Sequence, residues 1–346
     1  MSFSISQLFP GIETGLNRIG FLFGAGTSKD AGYPLMGDLT KTVVSNLDAP
    51  NRAILDEILT VKGIDYDDTS GDPNIEVLSD LVTEYFVATQ DAKYSDLESA
   101  IRALIVETIL SVKTPDLSDH VRFLEGLKQR AHGTSPTVTI LTTNYDVLFE
   151  LAACEVGIRM ETGFDGPLRR TFDIASFDLA RGTVDRTRFS PRNELHINLF
   201  KLHGSVAWLK DGTRIVESAQ ELQSSVPERS MVLPRRRKVM DTLADPFDQL
   251  FTKASRILGT NCKYLVSCGY SFADKHINEQ LLFPKLSSGK IRMTALCGQE
   301  PACLDDLKSF RPFHAGFPGN CYVDGNDTDT GTDLWKFSAL AELIEP

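Results

Sequence analysis

The chain has 346 residues, 42% of them hydrophobic and 24% charged, with a formal net charge of −11. That length calls for one large domain carrying a substantial insertion, or for two domains. The acidic balance argues against a broad nucleic-acid footprint, which draws on clustered Lys and Arg. No apolar run approaches the roughly 20 residues of a membrane span. The start, Met1-Ser2-Phe3-Ser4-Ile5, lacks the basic flank and apolar core of a signal peptide, so a cytoplasmic location is expected.

The first apolar run, Ile19 to Phe23, reads as a buried strand. It leads directly into Gly24-Ala25-Gly26-Thr27-Ser28-Lys29-Asp30-Ala31-Gly32-Tyr33-Pro34. Closely spaced glycines at a strand end let backbone N–H groups approach a diphosphate, and Thr27 and Ser28 add hydroxyls; an ordinary tight turn uses the same Gly-x-Gly. The next block, about 45–130, is far longer than a simple strand-to-helix connection needs. Its apolar positions Ile75, Leu78, Leu81, Val82, Tyr85 and then Ile101, Leu104, Ile105, Thr108, Ile109 keep helical spacing, which predicts a helical insertion packed over the sheet. Inside it, the acidic stretch Asp65 to Pro73 reads as a loop rather than a metal site.

Val138 to Leu141 is the next strand, followed by Thr142-Thr143-Asn144-Tyr145-Asp146. These side chains suit the reading of ribose hydroxyls and an amide, and they are also the residues that cap a helix such as Val147 to Leu151. The stretch 160–195 mixes Gly, Pro, Arg, Asp and Phe without period and reads as an irregular loop module over the site. Leu199 to Leu202 forms a strand running into Lys201-Leu202-His203-Gly204-Ser205. His203 there stands at the ligand edge of a sheet and is the side-chain type that titrates near neutral pH, though a lone His also serves as a structural hydrogen-bonding residue.

Two basic runs, Arg169-Arg170 and Arg235-Arg236-Arg237-Lys238, read as solvated surface. A helix is expected from Pro246 to Leu258, with Phe247, Leu250, Phe251 and Ala254 on one face. The strand Tyr264 to Cys268 ends in Gly269-Tyr270-Ser271-Phe272-Ala273-Asp274-Lys275-His276-Ile277-Asn278, so Gly269 and Ser271 repeat the small residue and hydroxyl of a phosphate or ribose contact. Ile291 to Leu296 is a further strand, and the tail ends in an amphipathic helix, Leu334 to Leu343. Short apolar strands alternating with helices predict an α/β, Rossmann-like, mostly parallel sheet with a helical insertion subdomain. Its nucleotide-binding core would comprise about 12–45, 131–160 and 196–312, with a C-terminal tail at 313–346.

The six cysteines include no Cys-x-x-Cys pair, so neither structural zinc nor a disulfide is expected.

Four segments taken together resemble the NAD-binding core of the sirtuin family. They are Gly24-Ala25-Gly26-x-Ser28 with Ala31-Gly32-x-Pro34, Thr143-Asn144-Tyr145-Asp146, His203-Gly204-Ser205, and Gly269-x-Ser271. The resemblance implies a Rossmann-like sheet that binds NAD+ with its diphosphate on the glycine loop. Protein-deacylating sirtuins carry a four-cysteine zinc module and continue the glycine loop with Pro-Asp-Phe-Arg, whereas here Pro34 precedes Leu35-Met36-Gly37-Asp38. The combination of Thr142-Thr143-Asn144-Tyr145-Asp146, Lys201-Leu202-His203-Gly204-Ser205 and Gly269-Tyr270-Ser271-Phe272-x-Asp274-x-His276-Ile277-Asn278 instead looks like the zinc-free sirtuin-like proteins of bacterial antiphage defence, which hydrolyse NAD+ to ADP-ribose and nicotinamide.

That resemblance implies NAD+ as substrate, no metal, and defence by NAD+ depletion, the abortive-infection strategy. It implies that Asn144 positions ribose and water, that His203 serves as base, and that Asp146 binds the nicotinamide carboxamide or favours the developing cation. Gly24, Ala25, Gly26 and Ser28 would carry the diphosphate, with Thr143, Gly269 and Ser271 completing the nucleotide site and Asp30 facing the same pocket. Regulation is implied as well, through a homo-oligomer and a partner subunit such as a HerA-like ATPase translocase or a short Argonaute. The same residues leave two alternatives: an NAD-dependent lysine deacylase, or a non-catalytic sensor of NAD or ADP-ribose.

Overall fold

Strand β1 (Ile19–Phe23) is buried along its whole length, with Phe21 and Phe23 in one apolar cluster and Leu22 in another. A strand covered on both faces belongs in the middle of a parallel α/β sheet. The computed structural model describes residues 3–10, 12, 16–131, 136–180, 182–218, 229–231 and 246–346. Along the chain follow β2 (Thr137–Thr142), β3 (Arg159–Glu161), β4 (Phe164–Asp165), β5 (Arg170–Phe172), β6 (Gly182–Asp185), β7 (Arg188–Pro191), β8 (His196–Lys201), β9 (Gly204–Asp211) and β10 (Arg214–Glu217). After them come β11 (Arg229–Met231), β12 (Tyr264–Cys268), β13 (Arg292–Leu296), β14 (Phe313–Gly316), β15 (Cys321–Val323) and β16 (Asn326–Thr328).

Nine strands form one sheet in the order β16-β15-β14-β13-β12-β1-β2-β8-β3. From β14 to β3 every neighbouring pair is parallel, and β15 and β16 close one edge as antiparallel ribbons. On one side of β1 the chain lays down β2 and the edge strand β3 and then inserts β8 between them, before it crosses to β12, β13 and β14 on the other. The order therefore reverses between β1 and β12. In open α/β sheets the crevice at the carboxyl ends of such a reversal is where ligands bind.

All five sequence-expected strands lie in this sheet. The expected Leu199–Leu202 is instead His196–Lys201, because the half-buried His196 and the buried Asn198 break the apolar pattern at its start. The expected helix at Pro246–Leu258 is Phe247–Ile257, and the last helix is Phe337–Ile344.

The helices that share a core do not coincide with 45–130, beginning earlier and ending sooner. Helices Met36–Ser45, Ala49–Lys62, Ile75–Thr89 and Ala92–Leu110 share their own core around Val43, Ile58, Leu78 and Ile101. Helix Ser118–Arg130 instead buries Phe123, Leu124 and Leu127 on the main sheet. Phe123 and Phe337 each meet Phe23 edge-on at 5.4 Å, an arrangement that aromatic quadrupoles favour. The C-terminal tail is thus part of the core, supplying β14 to β16 and the helix that packs beside Ser118–Arg130.

The stretch 160–195 is also more ordered than its composition suggests. Its first strand, β3, joins the main sheet, β4 and β5 enter an antiparallel sheet ordered β11-β9-β10-β5-β4, and β6 pairs only with β7. Strands of two to four residues are too short to show a period among Gly, Pro and Arg. Arg170 does not fit the reading as solvated surface, since it pairs with the buried Glu217, which also accepts from Trp208 Nε1 at 3.1 Å and Thr162 Oγ1 at 3.2 Å. Arg235 to Lys238 lie outside the described residues. Among the described residues no helix is long and apolar enough to cross a membrane.

Candidate functional site

Two glycine turns meet at the point of reversal. A Cβ on Gly24 would lie 2.6 Å from Gly269 O, and one on Gly26 would lie 2.6 Å from Gly269 Cα. Gly269 itself has φ +65°, and a Cβ there would stand 2.6 Å from Thr27 N. Only glycine at all three places lets the loops after β1 and β12 touch backbone to backbone. The contact is hydrogen-bonded too, with Gly24 N–H donating to Cys268 O at 3.3 Å and Gly26 N–H to Gly269 O at 3.0 Å. Thr27 and Ser28 N–H turn back onto Gly24 O and Ala25 O. Of the amides from Gly24 to Ser28, that of Ala25 donates to no atom among the described residues, and Ala25 is exposed. The Gly26 N–H is thus already engaged by Gly269 O.

Asn144 and Asp146 brace this loop from the turn after β2. Asn144 Nδ2 stands 3.1 Å from Gly24 O, 3.2 Å from Thr27 Oγ1 and 2.9 Å from Ser28 Oγ, sharing two protons among three acceptors. Its Oδ1 receives no hydrogen bond among the described residues. Ser28 Oγ donates in turn to Asp146 Oδ2 at 2.7 Å, while Asp146 Oδ1 accepts the Leu148 N–H at 3.1 Å where helix Leu148–Val156 begins. Asp146 thus stands both at the start of that helix and against the glycine loop. Ser28, 2% exposed and doubly bonded, holds the loop from within.

Beneath Asp146 lies a group that sequence reasoning left without a role. Lys201, at the end of β8 and 2% exposed, donates to the Asp146 carbonyl and stands 3.2 Å from Glu150 Oε1. Burial pushes the Glu150 carboxyl above the usual carboxylate range, and Lys201 pulls it back. Tyr33 N–H donates to Ser28 O, and its phenol is pushed upward first by burial and then by the charges of Asp146 and Glu150. A Lys closing an apolar strand was the signal that could have revealed this cluster.

His203 follows β8, in the turn before Gly204, whose φ is +84°. His203 Nε2 lies 2.8 Å from Asp274 Oδ2, and both residues are buried. Tyr145 flanks the imidazole with ring centroids 6.3 Å apart. Asp274, six residues after β12, is thus the partner of His203, a role that sequence reasoning did not give it.

The remaining expected residues fall into two groups. Thr143 is half-buried and its N–H donates to Phe23 O at 3.1 Å, so it stands at the same sheet end. Ser271 is exposed and accepts from Ala273 N–H at 3.4 Å. Asp30 is exposed and lies toward Asp119, whose carboxyl it helps to raise after burial. Two cavities, of about 430 and 310 Å³, lie elsewhere, lined by residues such as Lys128, Arg159 and Leu195 in one and Arg18, Thr139 and Asn198 in the other. All six cysteines are free thiols, and among the described residues no group of three His, Cys, Asp or Glu side chains could hold a metal ion.

Residues 138–297 match the family model of the SIR2-like domain. The matched span runs from β2 into the residue after β13 and includes Asn144, Asp146, His203, Gly269 and Asp274. It supports a sirtuin-like family and NAD-dependent chemistry, and it agrees with the mostly parallel Rossmann-like sheet. No curated protein matches the chain.

Proposed function

We propose that this chain is an NAD+ glycohydrolase, cleaving NAD+ to ADP-ribose and nicotinamide, and that it serves antiphage defence by depleting NAD+. The observation that carries the reading is the convergence of Asn144, His203 and the Gly24–Gly269 contact on the carboxyl ends of β1, β2, β8 and β12, inside or next to the SIR2-like span. The donor set suits a dinucleotide: the backbone N–H of the exposed residue Ala25 for a diphosphate, and the Asn144 carboxamide oxygen for a hydroxyl or water.

The leaving nicotinamide is already cationic in the substrate, so bond breaking needs no general acid, and the ribose passes through an oxocarbenium-like state. The C1′–N bond breaks with its electron pair going to nicotinamide. Water then bonds to C1′, and His203 takes the proton that the water loses. Asn144 orients the water and ribose through Oδ1 while its amide nitrogen holds the glycine loop, and the Asp146 carboxylate adds negative charge beside the developing cation.

Unrestrained NAD+ cleavage is toxic, so activity is gated in a homo-oligomer or by a partner subunit of the HerA-like ATPase or short Argonaute kind. Between residues 45 and 110 the sequence has fourteen acidic and four basic residues, which suits the insertion to a basic partner surface. The test is to incubate the pure protein with NAD+, with and without an acetylated peptide, and to quantify nicotinamide, ADP-ribose and acyl-ADP-ribose. Peptide-independent release of ADP-ribose is expected. Release that requires the peptide would make the chain a deacylase, and binding without release would make it a sensor.

A further inference from the structure

The two ends of the His203–Asp274 contact come from distant places. His203 follows β8 and Asp274 follows β12, and β1 and β2 lie between those strands in the sheet. Three strand spacings amount to about 14 Å. The side chains nevertheless approach to 2.8 Å, 71 residues apart in sequence and buried. The pair thus spans the carboxyl ends of β1 and β2, where Gly24 and Asn144 stand. Neither local helix propensity nor strand pairing brings these two residues together.

Asp274 divides its oxygens between two tasks. Oδ1 accepts the N–H groups of His276 at 3.0 Å and Ile277 at 3.3 Å, capping the helical turn Lys275–Ile277. Oδ2 faces His203 Nε2. The backbone therefore fixes the carboxylate, and the carboxylate fixes the ring. A capping Asp needs one oxygen only, so the second oxygen's contact is not explained by the cap.

We propose that Asp274 is a positioning residue for His203: it accepts the Nε2–H, holds the imidazole in the tautomer whose lone pair is on Nδ1, and stabilises the imidazolium formed during the reaction. This rests on the reading of His203 as the base in NAD+ hydrolysis. In the hydrolytic step a water O–H bond breaks as its oxygen bonds to ribose C1′, the proton goes to Nδ1, and Asp274 stays a carboxylate throughout. Carboxylate–imidazole pairs in hydrolases work in this way, and there the amide replacement costs as much as about 10⁴-fold in kcat because the imidazole takes the wrong tautomer.

Nitrogen NMR of the unmodified, ligand-free protein at neutral pH reads the tautomer directly. A proton on Nε2 of His203 is expected, and a proton on Nδ1 overturns the proposal. Asp274→Asn keeps a cap oxygen for His276 and Ile277 but can present an N–H to Nε2, so the tautomer is expected to flip and kcat to fall at least 10²-fold with a much smaller change in KM. Asp274→Ser also keeps a cap oxygen while withdrawing the carboxylate, and should show the same split; Asp274→Glu should recover part of kcat. If kcat in Asp274→Asn and Asp274→Ser equals that of the parent, or if only thermal stability falls, Asp274 is a helix cap and nothing more. Should the parent itself release no nicotinamide while its tautomer is Nε2–H, the hydrolase reading fails and the positioning geometry stands.

Discussion

Ser28 donates its hydroxyl to Asp146 across 2.7 Å, and that one bond joins the glycine loop after β1 to the turn after β2. Asn144 makes the same connection from above through Gly24 O, Thr27 Oγ1 and Ser28 Oγ. The glycine loop is therefore held by Asn144 and Asp146, and in the proposed reading binding and chemistry share one hydrogen-bonded unit. Removing the Ser28 hydroxyl leaves a buried carboxylate oxygen short of a donor, at a cost of about 1–3 kcal/mol. Ser28→Ala should lower the urea midpoint accordingly and raise KM for NAD+. An unchanged midpoint would show that the link contributes nothing.

Replacing Asn144 or His203 by Ala should abolish nicotinamide release, and the two series should separate in stability. Asn144 supplies donors to three acceptors at its end of the loop. Asn144→Ala removes those donors, while Asn144→Asp sets a carboxylate oxygen against the Gly24 carbonyl. Asn144→Asp is therefore expected to be the less stable of the two, by about 1 kcal/mol or more. Thermal melts at pH 7 decide the order; an Asp variant as stable as the Asn parent would mean that the amide does not hold the loop.

Gly269→Ala combines a left-handed backbone with contacts that only backbone could relieve, since the added Cβ would lie 2.6 Å from Thr27 N and 2.8 Å from Gly26 C. Gly289 offers the matched control, with φ +63° and nothing within 4 Å of its virtual Cβ. Gly289→Ala should cost about 1 kcal/mol, the price of the conformation alone. Gly269→Ala should cost clearly more and abolish NAD+ binding by calorimetry. Equal losses in the two variants would mean that the loops do not need their close approach.

Five of the nine strands of the main sheet, β1, β2, β8, β12 and β13, were legible because each is a short apolar run ending in Gly or polar residues, the pattern of a strand buried on both faces, whereas the short edge strands β3, β14, β15 and β16 carry no such run. The strand ends exposed Asn144, His203 and Gly269 for the same reason. The pairing of Asp274 with His203 was not legible, because the two lie 71 residues apart and the nearer signal of Asp274 is that of an ordinary helix cap. Lys201 and Glu150 escaped because charged side chains are read as surface unless a partner is known, and theirs comes from a different element. Strands β4 and β5 of the antiparallel sheet escaped because strands of two or three residues have no measurable period. Helix Ser118–Arg130 was assigned to the insertion by chain order, although its buried Phe123, Leu124 and Leu127 face the main sheet.

His120 connects this packing to pH. It is 1% exposed, with its ring centroid 4.8 Å from that of Phe149 and 4.7 Å from that of Phe337, and its Nε2 has no hydrogen-bond partner among the described residues. Burial lowers its pKa from 6.5 to about 4, against the opposing pull of Asp146 and Asp116. Above pH 6.5 the ring is neutral in both the folded and the unfolded chain and contributes no pH dependence. As pH falls from 6.5 toward 4 the unfolded chain binds a proton that the folded chain refuses, so stability drops by up to about 1.4 kcal/mol per pH unit, or about 3 kcal/mol over the window. His120→Leu, of similar volume in the same aromatic surround, removes the titrating group together with a buried nitrogen that lacks a partner. Urea denaturation of both proteins between pH 7 and pH 4 should give a shallower decline for His120→Leu, with equal or higher stability at pH 7. Parallel curves would mean that His120 takes up its proton at the same pH in the folded and the unfolded chain, and that its aromatic surround does not exclude the cation.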